Sequence, residues 1–117
     1  MQRNEGHMID IFDNSVRTAG DYAGVFECDD DCAFFYLYKL DADVGQKVIN
    51  SIFISTNTIE LIEADIVIRW NSDESIVGLL IENQIWAVFD VLNGKKYGEK
   101  YKKNTLSIVN SNWENKF

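Results

Sequence analysis

Residues 63–91, Glu63-Ala-Asp-Ile-Val-Ile-Arg-Trp-Asn-Ser-Asp-Glu-Ser-Ile-Val-Gly-Leu-Leu-Ile-Glu-Asn-Gln-Ile-Trp-Ala-Val-Phe-Asp-Val91, read as three β-strands joined by two tight turns. In the first strand Ile66, Ile68 and Trp70 share one face, with Asp65, Val67 and Arg69 opposite. That is the period of two expected of a half-buried strand. Ser72-Asp-Glu-Ser75 is a turn, because short polar side chains bond their own backbone there. A two-residue turn at Asn83-Gln84 would set the next register. It places Ile81 opposite Trp86 and Leu79 opposite Val88, with Gly78, Leu80, Ala87, Phe89 and Val91 on the other face. Both faces are then largely apolar, whereas an antiparallel sheet with a water face alternates apolar and polar. The hairpin therefore needs cover on both sides, from a second sheet layer, a helix or a second copy of the chain.

Upstream, Ile9-Asp-Ile-Phe12 reads as a short first strand and Asp13 to Asp21 as a loop. Tyr22 to Cys28 and the aromatic run Cys32-Ala-Phe-Phe-Tyr-Leu-Tyr-Lys-Leu40 read as strands around an Asp29-Asp30-Asp31 turn. Phe34, Tyr36, Tyr38 and Leu40 fall on one face of the second of these. A loop spans 40–46. Residues 47–55 are ambiguous: Val44, Val48, Ile49 and Ile52 fit a helical stripe, Ile52 and Ile54 a strand. We read a helical turn running into a strand. Downstream, Asn93-Gly94 is a turn. The lysine-rich 95–103 suits an edge strand, where lysines block edge-to-edge pairing. Residues 104–113 form a last short element, helix or strand.

These elements predict a mainly β chain, with one or two short helices at most. The expected arrangement is an antiparallel meander of six or seven strands forming a sandwich or a partly open barrel. The 117 residues fit one domain, 1–117, with 1–21 as a loosely ordered N-terminal segment. The polar start lacks the apolar centre of a signal peptide, and no run is long and apolar enough for a membrane helix. Both point to the cytoplasm. The net charge is −8, unevenly spread. Residues 1–94 hold 17 acidic and 5 basic residues, a balance of −12; residues 95–117 hold 2 and 6, a balance of +4. An acidic body argues against binding a phosphate backbone, and it speeds encounter with a basic partner.

Several segments are patterned together: Val25-Phe26-Glu27 with the acidic turn, Phe35-Tyr36 with Tyr38, Val48-Ile49 to Ile54, Glu63 to Trp70, Gly78-Leu79-Leu80-Ile81, Asn83, and Ala87-Val88-Phe89-Asp90. Over residues 23–103 this pattern resembles an uncharacterised bacterial domain-of-unknown-function family of small β-rich proteins. The chain departs from it in having Asp30-Asp31 where the family carries a glycine, and Asn83-Gln84 where it carries Asn-Gly. The resemblance implies no reaction, substrate or cofactor. In style the chain is also similar to products of mobile gene cassettes and to toxin-immunity proteins.

The chemical inventory is thin. There is no Gly-x-Ser-x-Gly, no phosphate loop, no dinucleotide fingerprint and no Cys with a nearby His. We therefore expect no catalytic residues, no cofactor and no metal site. Cys28 and Cys32 would sit opposite each other if the turn held three residues. They read as reduced thiols in a reducing compartment, with a redox-sensitive pair as the alternative; zinc needs about four ligands and the one histidine, His7, is distant. Asp65, Arg69 and Asp90 read as structural ion pairing beside Trp70 and Trp86. The Lys-Tyr run of 95–103 is a weak version of a single-strand nucleic-acid surface. The expected function is a non-enzymatic interaction protein, immunity-like in one form, binding a basic protein partner and assembling as a homodimer. Its contact residues would be Asp29, Asp30, Asp31, Tyr36, Tyr38, Arg69, Trp70 and Trp86. One alternative is a small-ligand-binding β-barrel or sandwich lined by Tyr36, Tyr38, Trp70 and Trp86. The other is an enzyme using Asp65, Asp90 or Glu82.

Overall fold

The computed structural model describes residues 10–56, 61 and 64–98, which form eight β-strands and no α-helix. Strands β1 (Asp10–Val16), β2 (Tyr22–Asp29), β3 (Ala33–Lys39) and β4 (Val48–Ser55) make one antiparallel sheet in that order. Strands β5 (Ile66–Trp70), β6 (Ile76–Ile81), β7 (Gln84–Asp90) and β8 (Lys95–Tyr97) make the second, again antiparallel and in chain order. Within each sheet, every connection is thus a meander step. The result is the expected mainly β sandwich, not closed into a barrel.

The two sheets bury their inner faces against each other. Phe26, Phe35 and Ile52 from the first meet Ile68, Val77, Leu79 and Phe89 from the second. The Phe35 and Phe89 rings stack across the gap at 5.1 Å. Polar ties join the sheets at both sides. The Trp70 indole N–H donates to the Ser15 carbonyl at 3.0 Å, joining β5 to β1. The Thr18 N–H and hydroxyl both donate to the Glu74 carboxylate. Across the sandwich, Lys96 Nζ donates to the Ser51 carbonyl on β4.

Four expectations are corrected. The first strand runs on to Val16 instead of giving way to a loop at Asp13, and it pairs with β2 along its whole length. Its polar Asp13-Asn14-Ser15 is tolerated because β1 is an edge strand. The helical turn near 44–52 is absent. Val44 is 93% exposed, and the β-branched residues from Val48 onward pair with β3 as a strand. The hairpin turn lies at Glu82-Asn83, one residue earlier than Asn83-Gln84. Both residues take positive φ, 54° and 65°, as a type I′ turn demands. Ile81 therefore faces Gln84, and an irregularity at Trp86 sets Leu79 against Ala87 and Gly78 against Val88. The slip exchanges the two faces of β7. Ala87 and Phe89 join the inter-sheet core, while Val88, on the opposite face, is also 0% exposed. The first sheet supplies the inner cover; on the outer face Gly78 and Val88 are buried, while Val67, Ile76 and Leu80 are half-buried.

The fourth correction concerns the cysteines. Asp29 N–H donates to the Cys32 carbonyl, so these two residues close the β2–β3 hairpin over Asp30 and Asp31. Cys28 then faces Ala33 rather than Cys32. The two cysteines lie one step apart in register, on opposite faces of the sheet. Both are free thiols. Among the described residues, no helix is long and apolar enough to cross a membrane. The segments 104–113 and 99–103, and His7, lie outside the described residues.

Candidate interaction face

The register of the first sheet brings one residue from each strand into rows on its outer face. Phe12 on β1 faces Glu27 on β2, which faces Phe34 on β3, which faces Phe53 on β4. The next row holds Asn14, Val25, Tyr36 and Ser51, and the third holds Val16, Ala23, Tyr38 and Val48. Ala23 and Val25 are buried beneath the larger side chains around them. Phe12 is 58% exposed, Val16 49% and Phe53 38%, on a face with no second layer against it among the described residues.

The aromatics interlock. Phe34 stacks on Tyr36 at 5.7 Å and meets Phe53 edge-on at 5.4 Å, and Tyr36 meets Tyr38 at 6.2 Å. Such contacts hold rings in place in addition to the area they bury. The face is therefore a pre-ordered aromatic surface.

The acidic turn borders this surface. Asp29 Oδ1 accepts the N–H groups of Asp31 and Cys32 at 2.8 and 3.0 Å. These bonds, Cys32 first, hold the Asp29 carboxyl below its ordinary value. Burial, then the charge of Asp29, pushes the Cys28 thiol up. The same two causes raise Cys32, and burial followed by Glu27 raises the Tyr36 hydroxyl. Between turn and rings lies a recess of about 230 Å³, lined by Phe12, Glu27, Cys28, Asp29, Cys32, Phe34 and Tyr36.

The structure thus brings Asp29, Tyr36 and Tyr38 onto one face, with Asp30 and Asp31 exposed at its end. The remaining expected contact residues lie elsewhere. Trp70 is in the inter-sheet core, Trp86 is half-buried against that core from β7, and Arg69 is exposed on β5. Tyr36, Tyr38, Trp70 and Trp86 therefore line no common pocket. Asp65 and Asp90 stand at opposite ends of the second sheet. Asp65 bonds to Glu82 beside Ile81, while Asp90 pairs with Ile76. Five residues of β6 separate them, about 16 Å, too far for a two-carboxylate mechanism. Among the described residues no group of three or more His, Cys, Asp or Glu could hold a metal ion.

Phe12, Glu27, Phe34 and Phe53 were not among the expected contacts. The alternation of Phe34, Tyr36 and Tyr38 was visible in the sequence. Phe53 joins them only once residues 48–55 are a strand, and Phe12 only once β1 is seen to pair with β2 as an edge.

The chain belongs to the family DUF2251. Its model, described as an uncharacterised protein conserved in bacteria, matches residues 6–116. The DUF2251 match takes in the whole β1–β8 sandwich, and so both the aromatic face and the acidic turn. No curated protein and no solved structure matches the chain.

Proposed function

We propose that the protein is a non-enzymatic binding module that docks a partner protein on the outer face of β1–β4. The observation that carries this reading is the row Phe12–Glu27–Phe34–Phe53. Exposed apolar side chains are normally scattered singly, and a contiguous patch of them marks a contact surface. Here the patch is aromatic, pre-ordered and edged by carboxylates in a chain of net charge −8. That combination suits a partner with an apolar centre and a basic rim. Neutralising a toxin's basic surface is one form such binding could take. A second copy of the chain fits this face poorly, because like charges at Glu27 and the acidic turn would be brought together. A homodimer would use another surface. The reading sets the protein in the cytoplasm, where its two thiols stay reduced.

The test compares wild-type protein with a Phe12→Ser/Phe53→Ser variant as bait in native bacterial extract at low salt. Both rings lie on the outer face, away from the inter-sheet core, so the variant should keep the fold, with a lower melting temperature from the lost Phe53–Phe34 contact. A basic partner held by wild type and lost by the variant is the expected result. Equal retention by both would overturn the reading.

A further inference from the structure

We propose that the recess between Phe12, Glu27 and Phe34 receives an arginine side chain of the partner. This rests on reading the outer face as a docking surface, and it names the chemistry that the face selects.

Glu27 lies in the middle of the sheet with a ring on each flank, Phe12 from β1 and Phe34 from β3. It is exposed, and among the described residues its carboxylate has no hydrogen-bond or ion-pair partner. A carboxylate set among aromatic rings offers two complementary attractions to one group. The carboxylate takes two parallel N–H bonds from a guanidinium, and a ring face attracts the same planar cation. A lysine ammonium is a compact, strongly hydrated point charge that matches neither the planarity nor the paired bonds.

The surroundings favour a cation. Asp29 stands at the same recess, its Oδ1 already bonded to the turn N–H groups. The ring stack of Phe34 on Tyr36, at 18° between planes, gives the recess a fixed wall. The volume of about 230 Å³ accommodates a guanidinium and part of its carbon stem. Burial is the first cause of the raised Cys28, Cys32 and Tyr36 groups, and the nearby carboxylates of Asp29 and Glu27 add to it.

The test titrates N-acetyl-arginine amide into isotope-labelled full-length protein and follows the backbone amides by NMR. N-acetyl-citrulline amide, the neutral isostere, and N-acetyl-lysine amide are the comparisons. Arginine should shift the amides of Glu27, Phe34 and Tyr36, and citrulline should bind at least about five-fold more weakly. Glu27→Gln, an exposed and nearly isosteric change, should weaken arginine binding by about five-fold while leaving the melting temperature unchanged. Equal binding of citrulline, an unaffected Glu27→Gln variant, or shifts confined to another surface would overturn the proposal. Lysine binding as tightly as arginine would overturn the choice of side chain. The docking face is judged separately. Partner capture that is lost in Phe12→Ser/Phe53→Ser but intact in Glu27→Gln overturns the arginine site and leaves the face standing. Capture unaffected by either change overturns both.

Discussion

Gly24 on β2 and Val77 on β6 touch across the sandwich with no room for another atom: a Cβ on Gly24 would lie 2.8 Å from Val77 Cγ2. It would also come within 3.1 Å of Ile68 and 3.2 Å of Phe35. The absence of a side chain at Gly24 lets β2 pack directly against Val77, and the β-branched Val77 has little rotamer freedom with which to yield.

Gly24→Ala should therefore destabilise the fold by about 1–2 kcal/mol, strain outweighing the smaller gain from a stiffer unfolded chain. Val77→Ala alone costs a cavity. The double variant should cost less than the sum of the two by about 1 kcal/mol, because the valine methyl is the atom in the way. Urea unfolding of the four proteins measures this. Strict additivity would show that the sheets part freely at this point.

Asn71 is a second point where one side chain does several jobs. It is buried, and its Oδ1 accepts the N–H groups of Ser75 and Ile76 at 3.0 and 3.1 Å. It so closes the β5–β6 turn, in which Glu74 takes a positive φ of 57°. Asn71→Ala leaves the Ile76 N–H without its acceptor and the Ser75 N–H with Asp73 Oδ1 alone, and should cost about 1–2 kcal/mol, whereas Asn71→Asp keeps the acceptor oxygen and should cost less. Thermal melts of both variants decide it. Equal losses would mean that the amide's packing, not its oxygen, matters.

Much of this fold is legible along the chain because alternation is a local signal. Tyr22–Cys28, the aromatic strand and Ile66–Trp70 all announce themselves this way. What is not legible depends on pairing partners. The Glu82-Asn83 turn asks a glutamate to adopt a positive φ, which local preference disfavours. Glu82 accepts the Asp65 N–H and donates its own to the Asp65 carbonyl, contacts seen only after folding. The helical stripe at 44–52 likewise loses to pairing with β3. The candidate face suffered most, since Phe12, Glu27, Phe34 and Phe53 are far apart in sequence and meet only through three registers.

The register also governs the thiols. Cys28 is buried on the inner face, and Cys32 is half-buried one step away on the other. Both thiols are raised above their ordinary 9.0, so the reactive thiolate is scarcer at neutral pH than on a free cysteine. Alkylation by iodoacetamide should be slower than that of free cysteine and should keep accelerating beyond the pH at which free cysteine levels off. Peptide mapping should place the label on Cys32 first. An internal disulfide formed readily under mild oxidant would contradict the assigned faces.

The acidic turn makes its own demand on pH. Asp29 titrates below its ordinary 3.8 because the Cys32 and Asp31 N–H groups bond its ionised form. The carboxylate's contribution to stability is present above that ordinary value and is lost as pH falls through the lowered one. Asn in its place keeps an acceptor oxygen for both N–H groups but carries no charge to titrate. Wild type should therefore lead Asp29→Asn in stability near neutral pH, and the lead should close on acidification below about pH 4. Urea unfolding of both proteins across that range measures the gap. A gap that holds constant with pH would show that the oxygen alone, and not its charge, holds the turn.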